Sequence, residues 1–252
     1  NSAVFDRRAE EAGLYARTLN GDAYSMGIKS EVIDMICSDL GGSVDLVVYS
    51  LASGGRTDPL TGETFRSALK PVGASYTAKS LNPMTGELGE TTIEPAVDEE
   101  IESTVKVMGG EDWRLWTISL LDSGVLAQGT TTVAYSYIGP ELTYPIYREG
   151  TIGRAKQHLE ATASELREEL GKIGGRAFVS VNKAVVSRAS AVIPVVPLYM
   201  SLLYQVMKDK GIHEGCIEQM ERLFRQRLYA GGPVPTDAEG RIRLDDLELR
   251  PD

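Results

Sequence analysis

Val44-Asp-Leu-Val-Val-Tyr-Ser-Leu51 is the stretch on which the fold turns. It is a nearly unbroken apolar run with β-branched residues, entered just after Gly41–Gly42. A strand wetted on one side alternates apolar and polar residues, whereas a continuous run fits a strand buried on both faces. Parallel sheets covered by helices contain such strands. Upstream, Ser25 to Leu40 carries Met26, Ile33, Ile36 and Leu40 at the spacing of one helix face, and the paired glycines stop it. Earlier still, Leu14 to Leu19 reads as a short strand ending in the loop signal Asn20–Gly21–Asp22.

Downstream, residues 54 to 95 are less regular. Asp58-Pro-Leu-Thr-Gly-Glu63 and Asn82-Pro-Met-Thr-Gly-Glu87 resemble each other, and Pro followed by Gly marks a tight turn in each. Nothing else recurs at that period, so two similar loops are expected rather than a repeat. Leu81 to Ile93 reads as a hairpin inserted into an α/β scaffold. Pro95 to Met108 predicts a helix whose positive end meets Asp98, Glu99 and Glu100. A second helix over Glu111 to Leu121 and a strand over Thr130 to Tyr137 follow.

Thr151 to Leu170 gives the clearest helix, because Ile152, Ala155, Leu159, Ala163, Leu166 and Leu170 fall at spacings of 3, 4, 4, 3 and 4. Arg176 to Val181 predicts a strand, Leu198 to Lys210 and Glu214 to Leu228 predict helices, and the tail from Gly231 reads as polar and turn-rich. The alternation predicts a single α/β domain over residues 1–252, a doubly wound, Rossmann-like parallel sheet flanked by helices. Ligands bind such sheets at the carboxyl ends of strands, here Asn20–Asp22, Ser50–Gly54, Tyr137–Pro140 and Val181–Ser187.

Composition narrows the function. At 252 residues the chain can bury one large core, and its net charge of −10 disfavours both nucleic acid and anionic membrane surfaces. No run approaches the ~18 apolar residues of a membrane span. The longest, Val192 to Leu198, is broken by Pro194 and Pro197. The chain opens at Asn1 with no signal-peptide pattern and no initiator Met, which points to a start lying upstream. Cys37 and Cys216 are expected as inert buried thiols in a reducing cytoplasm. His158 and His213 lie in no H-E-x-x-H pattern, and no G-x-S-x-G elbow is present, so neither a metal centre nor a serine hydrolase is expected.

Tyr137, Tyr144 and Tyr147 cluster after the Thr130–Tyr137 strand, and Lys156 shares the apolar side of the next helix with Ile152 and Leu159. A lysine there either snorkels to water or is held for a ligand. Tyr147 and Lys156 are nine positions apart. At about 100° per residue they would oppose each other on one helix, so they converge only if Tyr147 sits on a loop that folds back. Gly150 and Gly153 would permit unusual turns there, Thr151 would cap the helix, and Pro145 disfavours helix before it. Tyr204 and Lys208 form a rival pair at the Tyr-x3-Lys spacing of most short-chain dehydrogenases, but they follow a Pro-broken segment away from any strand end. Tyr204 is therefore read as core or rim, and Lys208 as a solvated charge.

The run Tyr147-Arg-Glu-Gly-Thr-Ile-Gly-Arg-Ala-Lys156 resembles the Tyr-x8-Lys signature of the single-chain trans-2-enoyl-CoA and enoyl-acyl-carrier-protein reductases, the long relatives of short-chain dehydrogenases. Further segments agree, among them Asn20–Ser25, Val48–Ser53, Met108–Trp113, Ala191–Tyr199 and His213–Glu218. The resemblance implies NADH-dependent reduction of trans-2-enoyl thioesters, carried on acyl carrier protein or coenzyme A, in cytoplasmic fatty acid biosynthesis. It implies Tyr147 as proton donor, Lys156 as the residue holding the nicotinamide ribose, and Tyr137 as the contact to the substrate thioester. Asp22 and Ala23 would meet adenine, Leu51 and Ala52 would line the cofactor, and Val185, Val186 and Ser187 would flank the nicotinamide. The family has Thr where Ser187 stands, so a hydroxyl is kept and a methyl lost.

No G-x-G-x-x-G follows a strand at the start of the chain. The match begins after the family's glycine-rich segment and stops before its C-terminal helical part, which predicts an incomplete reductase domain, monomeric or weakly self-associating. Two other readings stay open: a carbonyl-reducing dehydrogenase using Tyr204 and Lys208, and an inactive remnant that does not bind NADH alone.

Overall fold

A computed structural model describes residues 2–51, 53–82, 84–185, 193 and 195–251. Helix α1 (Ser2–Glu11) has no buried residue, and the chain then runs without regular structure to Gly21. The strand expected at Leu14–Leu19 does not form. Leu14 and Tyr15 are exposed, so no burial offsets the ordering, and Tyr15 donates its hydroxyl to Asp39 instead. Helix α2 (Met26–Asp39) starts where the Ser25 hydroxyl accepts the Ile28 N–H at 3.2 Å. Gly41 and Gly42 end it at positive φ, and β1 (Val44–Tyr49) follows.

Two antiparallel hairpins come next, β2 (Gly55–Thr57) with β3 (Thr64–Arg66) and β4 (Tyr76–Leu81) with β5 (Leu88–Ile93). The inserted hairpin thus begins at Tyr76, earlier than expected. Its turn and that of the first hairpin are built alike. Asp58 Oδ1 accepts the Leu60 N–H at 2.8 Å, and Asn82 Oδ1 accepts the Met84 N–H at 2.9 Å. The likeness of the two hexapeptides is shared turn chemistry.

Helices α3 (Asp98–Met108) and α4 (Glu111–Asp122) lead into β6 (Leu126–Ser136), then α5 (Thr151–Gly171) and β7 (Arg176–Val181). Helix α6 (Val196–Asp209), helix α7 (Cys216–Leu223) with a π-turn over Phe224–Leu228, and β8 (Ile242–Arg243) complete the order. Strands β1, β6, β7 and β8 form one parallel sheet in that order, with Val47 opposite Thr132 and Val133 opposite Phe178.

Alternate residues face opposite layers. Ala134, Ala177 and Val179 pack on Ile36 of α2, Trp113 and Leu120 of α4, and Leu159, Leu166 and Leu170 of α5. Val133, Ile242 and Leu244 pack the other way, on Leu223 and Leu228. Complete burial of Leu166 and Leu170 contributes about 2 kcal/mol each.

Three expectations are corrected. The Val44–Leu51 run is not buried on both faces: β1 is an edge of the described sheet, flanked only by β6, and Val48 is 39% exposed. Its apolar residues instead border an open groove of about 380 Å³ with Ile36, Trp116 and Leu120. The tail is not merely turns, because Ile242 and Leu244 are fully buried. Flanking Arg241 and Arg243 disguise the strand by pairing with Asp237 and Asp245. Both cysteines are exposed, since Ile36 takes the inner face of α2 beside Cys37 and Cys216 opens α7 at its free end. Among the described residues no helix is long and apolar enough to cross a membrane.

Candidate active site

Tyr147 and Lys156 meet because the loop after β6 folds back over the start of α5. Turns within 141–150 hold it, with the Tyr147 N–H donating to Thr143 O at 2.9 Å and the Glu149 N–H to Tyr144 O at 2.8 Å. A β-carbon on Gly153 would collide with the Arg148 carbonyl, and one on Gly150 would lie 2.7 Å from the Ile146 carbonyl. Gly150 has φ −83°, and neither glycine takes a positive φ. They are needed for close backbone approach rather than for the unusual turns expected. Nor does Thr151 cap the helix. Gly150 is the N-cap, and the Thr151 hydroxyl donates to Ala68 O and accepts the Lys70 N–H, tying α5 to the segment before the second hairpin.

Both side chains line one cavity of about 320 Å³ at the carboxyl ends of β1, β6 and β7, with Leu51, Tyr137, Asn182 and Val185 in its walls. Lys156 also borders a smaller cavity of about 140 Å³, toward Glu160 and Arg241. Among the described residues neither the Tyr147 hydroxyl nor the Lys156 amine has a hydrogen-bond partner. Burial pushes the Lys156 ammonium down to about 8, against the opposing charge of Glu160. Burial raises the Tyr147 phenol well above its ordinary value. An unpaired cation and a phenol made reluctant to ionise thus share one partly dry space.

Tyr137 meets the Tyr147 ring edge-on, with centroids 5.1 Å apart. Its hydroxyl donates to Glu248 Oε1 at 2.8 Å, and that oxygen also accepts Tyr199 Oη at 2.7 Å. The other oxygen accepts the Ala184 N–H at 2.7 Å. Burial raises the Glu248 carboxyl above the usual carboxylate range, against the lowering effect of these donors. No local sequence signal marks Glu248, whose partners lie on distant segments.

The remaining expected residues divide. Ala23 lines the groove beside β1, and Ser50 and Leu51 line both that groove and the cavity of Tyr147 and Lys156. Lys29 fixes the Asp22–Ala23 turn from beneath by donating to Ala23 O at 3.2 Å, Tyr24 O at 2.9 Å and Asp112 Oδ1 at 2.8 Å. Trp116 Nε1 donates to Ala23 O as well. Asp22 itself is exposed, with Oδ1 accepting the Tyr24 N–H. Ala52, Val186 and Ser187 lie outside the described residues.

The rival pair is separated from this cavity. The Tyr204 hydroxyl donates to Ala184 O at 2.9 Å, Lys208 is exposed, and neither lines the two spaces beside Lys156. Among the described residues no His, Cys, Asp and Glu cluster could hold a metal ion. The groove and the cavity, with Ser50 and Leu51 lining both, leave room at the strand ends for a ligand that reaches the Lys156 ammonium.

Residues 1–229 match the trans-2-enoyl-CoA reductase catalytic region. The whole chain is 59% identical to an enoyl-[acyl-carrier-protein] reductase [NADH] of Flavobacterium johnsoniae and 57% identical to one of Cytophaga hutchinsonii. It spans 63% of the length of each. Among solved structures, 98% of the chain superposes on 61% of Treponema denticola trans-2-enoyl-CoA reductase in complex with NAD, with a TM-score of 0.93 and 56% identity.

Proposed function

The chain belongs to the trans-2-enoyl-CoA reductase family, and on that premise we propose that it reduces trans-2-enoyl thioesters to saturated acyl thioesters with NADH, in cytoplasmic fatty acid biosynthesis. The carrier is acyl carrier protein or coenzyme A, and the protein is monomeric or weakly self-associating. One observation carries the reading: a phenol and an ammonium, both without partners among the described residues, line the same cavity at the strand ends.

Lys156 would hold the nicotinamide ribose, Ala23 and Leu51 would line the cofactor's path, and Val185 would flank its reactive end. NADH, when bound, supplies the hydride for the β-carbon of the enoyl group. Negative charge would then gather on the thioester oxygen, and the Tyr147 hydroxyl would stabilise it as an oxyanion donor does. Burial keeps Tyr147 as the neutral phenol, so its proton is there to be given once charge gathers on that oxygen. The Ile193, Val196 and Met200 side chains along the cavity wall exclude water and suit an acyl chain.

The test is a comparison of enoyl and ketoacyl thioesters as substrates for the chain, following NADH oxidation. Oxidation with enoyl thioesters alone is expected. A preference for ketoacyl thioesters, or no turnover of either, would contradict the proposal.

A further inference from the structure

Besides Tyr135, the cavity has three phenols in or beside its wall, Tyr137, Tyr147 and Tyr199, and one carboxylate sorts them. Glu248 Oε1 accepts both Tyr137 Oη and Tyr199 Oη, at 2.8 and 2.7 Å, while Oε2 accepts the Ala184 N–H. The carboxylate is delivered by a docked segment, since the Leu244 N–H donates to Val181 O at 2.8 Å. Arg222 clamps the same turn through Leu244 O at 2.8 Å and Asp246 at 2.7 Å. Glu248 therefore joins the ends of β6 and β7, helix α6 and the tail at a single point.

We propose that Glu248 is a positioning residue of this site: by accepting the Tyr137 and Tyr199 protons it fixes Tyr137 edge-on against Tyr147 and leaves Tyr147, of the three, as the phenol able to donate into the cavity. A phenol has one proton. Hydrogen bonds to a charged acceptor are roughly twice as strong as neutral ones, so a thioester carbonyl does not draw the Tyr137 proton from a carboxylate. Tyr137 then meets the substrate through its ring and oxygen lone pairs and serves to orient it. The bond to Ala184 extends the same hold to the backbone leading into Val185, at the reactive end of the cavity.

This inference rests on the enoyl reductase reading, and its test separates the two. In the full chain, Glu248→Ala and Glu248→Gln are made alone and with Tyr137→Phe, and kcat, KM and NADH affinity are measured. Glu248→Ala is expected to lower kcat about ten- to a hundredfold, the scale of a small misplacement at a reacting centre, with NADH affinity unchanged. Glu248→Gln, which keeps one acceptor oxygen, should recover part of that loss. In the Tyr137→Phe background Glu248→Ala should cost less than in the wild type, because the shared contact is already gone.

Losses that simply multiply, or an unchanged kcat in Glu248→Ala, would overturn the assignment. Amide exchange at Ala184 gives a readout that needs no turnover. It should quicken in Glu248→Ala, and unchanged exchange would also overturn the proposal. If the wild type reduces no enoyl thioester, the function reading fails, and the exchange result alone decides whether Glu248 holds this corner.

Discussion

Lys29 and Lys156 are two inward-turned lysines in very different company. Lys29 is buried, donates to two carbonyls and pairs with Asp112 at 2.8 Å, their side chains 1% and 2% exposed. Lys156 is half-buried and has no partner among the described residues. A cation inside a protein must be paired or it is costly. The saturated lysine is thus a structural joint beneath the Asp22–Ala23 turn, and the unsaturated one is the group that the proposed function gives to the cofactor.

The contrast can be sharpened first on the phenol beside Lys156. Tyr147→Phe should lower kcat by about 10²- to 10⁴-fold, the usual contribution of a positioned proton donor, while NADH affinity persists. Steady-state kinetics beside a fluorescence titration would show this split. If turnover persisted in this variant, Tyr147 would be only a wall of the cavity.

Next comes the structural lysine. Lys29→Ala strands the Asp112 carboxylate, whose acidity burial already weakens. It should destabilise the fold by about 3–5 kcal/mol, the cost of breaking a buried pair on one side. Denaturant melts would read the loss, and an unchanged midpoint would erase the distinction between the two lysines.

The smallest effect is in pH. The folded Lys156 ammonium titrates near 8, below its ordinary 10.5. Between those values the unfolded chain binds more protons, so stability from this group rises with pH across that window. If Lys156 holds the cofactor as proposed, NADH affinity falls over the same window, because the ammonium is lost. Lys156→Met should abolish the rise in stability, which melts across the window would detect.

Legibility followed the reach of the signal. Periodicity over Thr151–Leu170 and the strand at Arg176–Val181 agree with α5 and β7, because those residues pack as their spacing implies. At Leu14–Leu19 an apolar pattern alone does not make a strand when nothing covers it. Ile242 and Leu244 were hidden by the arginines that alternate with them, Arg241 and Arg243, whose charges are neutralised by acids nearby in the tail. The glycines at 150 and 153 were conspicuous, yet the carbonyls that crowd them are visible only in three dimensions. Glu248 had no signal at all, since Tyr137, Tyr199 and Ala184 lie 111, 49 and 64 positions away.

The most direct measurement is an NADH titration of Lys156→Ala beside the wild type, with the thermal midpoint of each recorded. Removing a charged hydrogen-bond donor worth about 1.5–3 kcal/mol should weaken binding roughly ten- to a hundredfold without lowering the midpoint. Equal NADH affinity in the two proteins would contradict the account, leaving Lys156 a surface-seeking charge that serves no ligand.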